Sequence, residues 1–85
     1  MRVQAAVIRD QVQTFAVVVV KPHVVQNRSE AADAIRGFAP VFGVPVVLMA
    51  QDGRGRPTFY GRPAIARFMS SVPLHTIPWR EYVIG

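Results

Sequence analysis

From Arg2 to Arg9 apolar and polar positions alternate as in a strand, with Val3, Ala5 and Val7 on one face and Gln4, Ala6 and Ile8 on the other. The polar stretch Arg9-Asp10-Gln11-Val12-Gln13 reads as a turn. Thr14 to Val20 then carries six consecutive apolar residues, the pattern of a central strand buried on both faces. The two strands fit an antiparallel hairpin. The second extends through Val24 and Val25 if pairing lapses at Pro22, which has no N–H for the ladder.

Asn27-Arg28-Ser29-Glu30 reads as a helix start, with Asn27 as N-cap and Glu30 completing a capping box. Ala31, Ile35 and Phe38 follow at helical spacing, while Arg28, Asp33 and Arg36 face water. Gly37 weakens this helix, and Pro40 and Gly43 stop it. Val44 to Ala50 is a second apolar, central strand, and Gln51 to Arg56 is a loop rich in turn signals. Pro57 to Tyr60 is a short strand placed at an edge by its opening proline. Arg62-Pro63 opens a second helix whose Ile65, Phe68, Met69 and Val72 make the sharpest amphipathic pattern in the chain, and Pro73 ends it.

The order β-β-α-β-β-α predicts one small α/β (α+β) domain over residues 1–85 with a mixed four-stranded sheet. Its body spans 1–72, and 73–85 form an apolar C-terminal tail that packs on the domain or acts as a dimerisation arm. A right-handed crossover through the first helix makes the two valine-rich strands parallel and neighbouring. Both helices are expected on one face, leaving the other for the tail or a partner.

Composition sharpens this expectation. A hydrophobic fraction of 51%, dominated by valine, is high for a chain of 85 residues and favours completing the core against a second copy. A homodimer is therefore expected, built on the open sheet face and on Trp79, Tyr82, Val83 and Ile84. The alternative for Trp79 is that it plugs the end of its own core. Without cysteine there is no disulfide, no thiolate metal site and no thiol catalysis. Two histidines and five scattered acids suggest neither a metal nor another cofactor.

The apolar run Phe15–Val20 is far short of the ~20 residues that span a bilayer. The N-terminus has no secretory pattern, so no membrane role and a cytoplasmic location are expected. No phosphate-binding loop, dinucleotide fingerprint, serine elbow or zinc-helix motif occurs, and the chain reads as a non-enzyme.

Net charge is +5 and the pI about 11.2, with nine of the ten basic residues arginine. That balance suits a polyanionic partner, nucleic acid included. Arg54, Arg56, Arg62 and Arg67 stand with one nearby acid, Asp52, and are the polyanion-binding candidates. Guanidinium forks on a glycine-containing loop suit phosphate. The competing reading is a solvated hairpin tip whose charges keep an edge from pairing. His23 and His75, each near a proline, converge only if the tail folds back to bring them together. Structural or surface roles suit them better than general-base chemistry.

Gly43-Val44-Pro45-Val46-Val47-Leu48, then Asp52-Gly53, Tyr60-Gly61-Arg62 and the helix containing Ala64-Ile65 resemble the C-terminal half of a thioredoxin-like domain. More narrowly they resemble the N-terminal domain of glutathione transferases. The resemblance covers residues 43–72 and implies a cis-proline site at Val44 and Pro45. The family's first strand-helix unit and its cysteine or serine loop have no counterpart here, so no redox chemistry is expected.

The leading expectation is thus a non-catalytic, self-associating interaction module. The alternative is a nucleic-acid or phospholigand binder working through the arginine-rich loop.

Overall fold

The computed structural model describes residues 1–10 and 13–84. Gln11 and Val12 of the expected first turn, and Gly85 of the tail, lie outside the described residues. Strands β1 (Arg2–Arg9) and β2 (Thr14–Val19) pair antiparallel, from Ala5 opposite Val18 to Arg9 opposite Thr14. Asp10 holds the hairpin: its N–H donates to the Gln13 carbonyl at 3.0 Å, and its carboxylate accepts from the Gln13 N–H at 2.7 Å.

The expected extension through Val24 and Val25 is corrected, because β2 stops at Val19 and a short helix, α1 (Pro22–Gln26), follows. Pro22 takes the first helical position, where a missing N–H costs nothing. Val24 and Val25 then reach the core from the side instead of lengthening the sheet.

Helix α2 (Arg28–Phe42) starts as its cap predicts, with the Asn27 side chain accepting from the Glu30 N–H at 3.1 Å. The reciprocal half of the capping box is replaced, since the Glu30 carboxylate meets His23 Nδ1 at 2.9 Å. Pro40 does not stop the helix, which ends three residues later at Gly43. Pro40 sits in the last turn on the solvent side, where the carbonyl it cannot serve is open to water. Gly43 has φ 70, a left-handed conformation that favours glycine, and its N–H closes on the Ala39 carbonyl at 2.8 Å.

Strands β3 (Val46–Gln51), β4 (Pro57–Tyr60) and β5 (Arg80–Val83) complete a sheet in the order β4-β3-β2-β1-β5. The valine-rich β2 and β3 are parallel neighbours, in register from Ala16 opposite Val46 to Val19 opposite Met49, as the crossover predicted. β4 pairs antiparallel with β3 and lies at an edge. The sheet has five strands, not four, because part of the expected tail is β5. It pairs antiparallel with β1 of the same chain, Arg2 opposite Val83 and Ala5 opposite Arg80. Met1 and Ile84 extend this ladder with two reciprocal bonds of 2.9 and 2.7 Å.

The two main helices lie on opposite faces, which overturns the expectation that both cover one. Ala5, Ala16, Val18, Val46 and Leu48 pack with α1 and α2. Ala6, Phe15, Val17, Val47 and Met49 pack with helix α3 (Pro63–Ser70), Ile77 and Trp79. The reason lies in β2 and β3 themselves: both parities of each strand are apolar, so each face needs its own cover. After α3, a 3-10 turn at Leu74–Thr76 carries the chain across that second face to β5. Among the described residues no polar or charged side chain is buried, and no helix is long and apolar enough to cross a membrane.

Candidate functional site

The arginine loop joins β3 to β4 and is organised by its one acid. The Asp52 Oδ1 accepts from the backbone N–H groups of Arg54 at 2.8 Å and Arg56 at 2.9 Å. Asp52 also exchanges backbone bonds with the loop, donating to the Arg56 carbonyl and accepting from the Gly55 N–H. Gly55 takes φ 80, and its carbonyl accepts from the Gln51 amide at 3.0 Å. The Asp52 charge is therefore turned inward on backbone dipoles. It touches a guanidinium only at the limit of contact, 4.0 Å from Arg56 Nε.

Arg54 and Arg56 stand at one end of β4, Arg62 at the other, and Arg67 on the exposed side of α3. Four strand residues span about 13 Å, so Arg54 and Arg56 are set apart from Arg62 by the length of β4, and the four arginines do not share a single pocket. Tyr60, Gly61 and Arg62 border a groove of about 380 Å³ against Ile35, Ala39 and Val46 of the α2 face. Gly61 lies tight against β3, where a Cβ would lie 3.0 Å from Val47 Cγ2 and 3.2 Å from Val47 Cα. Arg36, on the groove's far wall, is paired with Asp33.

Every acid is engaged: Asp10 and Asp52 with backbone N–H groups, Glu30 with His23, Asp33 with Arg36, and Glu81 with Arg2 at 3.5 Å. Arg9, Lys21, Arg28, Arg54, Arg62, Arg67 and Arg80 have no carboxylate partner among the described residues. The positive charge is thus unbalanced locally as well as overall.

The other candidates separate. His23 lies on α1 beside the α2 face, while His75 is in the 3-10 turn that crosses the opposite face, so the two rings do not converge. The described residues contain no group of three potential metal-ligating side chains. The Val44–Pro45 bond is trans, which corrects the cis-proline site at those positions. The Pro45 carbonyl accepts from the Ala16 N–H at 2.9 Å, so the extended backbone there is the start of the parallel β2–β3 ladder.

Of the tail residues, Trp79 packs against the α3-side core, and Tyr82 meets Phe42 edge-on with ring centroids 5.1 Å apart. Ile84 pairs with Met1, and Val83 is left 75% exposed.

No family model, curated protein or solved structure matches this chain.

What distinguishes one part of the surface from another is then the chemistry of the sheet's two open edges. Antiparallel pairs alternate between bonded and non-bonded. Met1 and Ile84 form a bonded pair, so Val3–Tyr82 and Ala5–Arg80 are bonded as well, and the N–H and C=O groups of Glu81 and Val83 point outward. At the other edge the Asp52–Arg56 bond sets the phase, which turns Pro57 and Phe59 outward. Pro57 has no N–H. The β4 edge thus offers one free donor where β5 offers two. Sequence reading named Val83 but missed Glu81, whose backbone matters here only because β5 pairs with β1.

Proposed function

We propose that this domain is a non-catalytic interaction module that self-associates along the outer edge of β5. The observation that carries this reading is the outward-facing, unblocked pair Glu81 and Val83, with Val83 the most exposed large apolar side chain among the described residues. Helices cover both sheet faces, so association through an open face gives way to association through the edge. A two-fold axis through Tyr82, perpendicular to the sheet, sets Glu81 of one copy opposite Val83 of the other, and each such pair exchanges two hydrogen bonds. The two five-stranded sheets become one. Trp79 belongs to its own core in this arrangement and takes no part in the contact.

Light scattering coupled to size exclusion tests this, with a dimer expected whose proportion is insensitive to salt. Glu81→Pro removes an outward N–H while leaving the inward β1 ladder intact. It is expected to give a monomer that melts like the wild type. A wild-type chain that stays monomeric up to about 1 mM, weaker than any useful affinity, overturns the reading.

A second reading, polyanion binding, is favoured by the seven cations without carboxylate partners among the described residues, four of them outside the loop and α3 region. On this reading Arg54, Arg56, Arg62 and Arg67 follow a phosphate backbone along the β4 edge. Anisotropy with labelled single-stranded and duplex oligonucleotides is expected to show affinity falling with salt, with a log–log slope of about −3 to −4 for four duplex phosphate contacts. The double change Arg54→Ala and Arg56→Ala is expected to roughly halve that slope. Flat traces at low salt dispose of this alternative.

A further inference from the structure

The geometry points to a second binding site, a cleft of about 430 Å³ formed by Arg9, Arg80 and Tyr82 over Val7 and Pro78, suited to a phosphate monoester with a flat apolar body. Strand register builds it. Tyr82 stands opposite Val3 and Arg80 opposite Ala5, so these side chains share the face on which Val7 and Arg9 follow by alternation. This is the face that α2 covers, but the cover is incomplete. The helix ends at Phe42, whose ring rests edge-on against Tyr82, and the chain then turns at Gly43 toward β3 on the far side of β2. The corner where β1 ends and β5 begins stays open, leaving Val7 38% exposed.

The cleft's charge is uncompensated. Among the described residues Arg9 and Arg80 have no carboxylate partner, and the two nearest acids in sequence are engaged elsewhere. Asp10 accepts from the Gln13 N–H, and Glu81 points to the opposite face, where it pairs with Arg2. Two guanidinium groups match the roughly −2 charge and several acceptor oxygens of a phosphate monoester better than the single charge of a carboxylate. Between them Val7, Pro78 and the Tyr82 ring offer an apolar floor and wall. A volume of about 430 Å³ lies within the ~300–1,000 Å³ range of small-ligand sites and accepts a mononucleotide. The cleft is built from side chains on the α2 face of β1 and β5, whereas self-association along β5 uses the outward backbone groups of Glu81 and Val83.

Adenosine 5′-monophosphate titrated at about 0.15 M salt, where the Debye length is ~8 Å, with adenosine and inorganic phosphate as its two halves, tests the site by calorimetry. Saturable binding at least about tenfold tighter than either half is expected, because a charged hydrogen bond and ring contact act together. Arg9→Gln and Arg80→Gln, on separate strands, are each expected to weaken binding about tenfold or more with unchanged melting. Removing two charges elsewhere, by Arg54→Gln with Arg56→Gln, is expected to change it less than about twofold, as screening confines surface charge effects. The proposal is overturned by binding that does not saturate, by inorganic phosphate binding as tightly as the nucleotide, or by equal weakening in the distant double variant.

Discussion

Phe15→Ala destabilises the domain by about 3–5 kcal/mol, the range for truncating a fully buried aromatic residue. Phe15 is completely shielded in β2, facing α3, and its ring meets that of Phe68 edge-on with centroids 6.2 Å apart. The shortened side chain leaves a void walled by β-branched and helical neighbours, which relax little because the sheet fixes their backbones. A chain of this length has a total stability of about 4–13 kcal/mol, so at the low end of that range the variant sits near its unfolding midpoint in water. Urea unfolding followed by circular dichroism measures the loss. Phe68→Ala is the internal comparison: Phe68 is 41% exposed, and its removal costs a fraction as much. Similar losses at the two positions would show that the α3 face is not packed as described.

Deleting residues 78–85 has a comparable effect, and for a different reason. The deletion removes β5 and, with it, Trp79 from one core, Tyr82 from the other, and the ladder that covers the outer edge of β1. Each aromatic ring contributes part of ~150–250 Å² of buried surface, which together come to about 5 kcal/mol at ~25 cal/mol per Å². The exposed β1 edge then invites pairing between copies. Thermal melting is expected to lose its cooperative transition or to shift down by more than about 10 °C, the scale for several kcal/mol in a domain this small. A truncated chain that melts like the full one would show that the tail lies on the domain without supporting it.

Much of the fold is legible in the apolar pattern. The unbroken runs at Phe15–Val20 and Val44–Ala50 signal central strands, and the crossover between them dictates their parallel pairing. Asn27 declares the start of α2, and Pro57 marks β4 as an edge strand. The misses arise where several physical readings share one signal. Proline breaks a strand, opens a helix or ends one according to its position. Pro22 opens α1 and Pro40 rides within the last turn of α2, where the sequence pattern alone suggests interruptions. Phe15 and Val17 alternate with Ala16 and Val18, so both faces of β2 need cover, but that pattern does not distinguish a helix from the tail or a partner as what supplies it.

The candidate sites divide along the same line. Arg54 and Arg56 are recognisable from their loop, because turn chemistry is local. The cleft of Arg9, Arg80 and Tyr82 and the outward phase of Glu81 have no local signal. Both depend on β5 finding β1, a pairing between segments at opposite ends of the chain.

That same pairing sets a schedule for the molecule's birth. Ala5 and Arg80 are partners separated by 75 positions, so β1 emerges from a ribosome long before the strand that will shield its flank. At ~5–20 residues per second, about 4–15 s pass between the two. Through that interval the chain carries two valine-rich segments with no finished sheet to hold them, at a stage when aggregation competes with folding. The net charge of +5 puts like charge on every such chain, and its repulsion opposes their association.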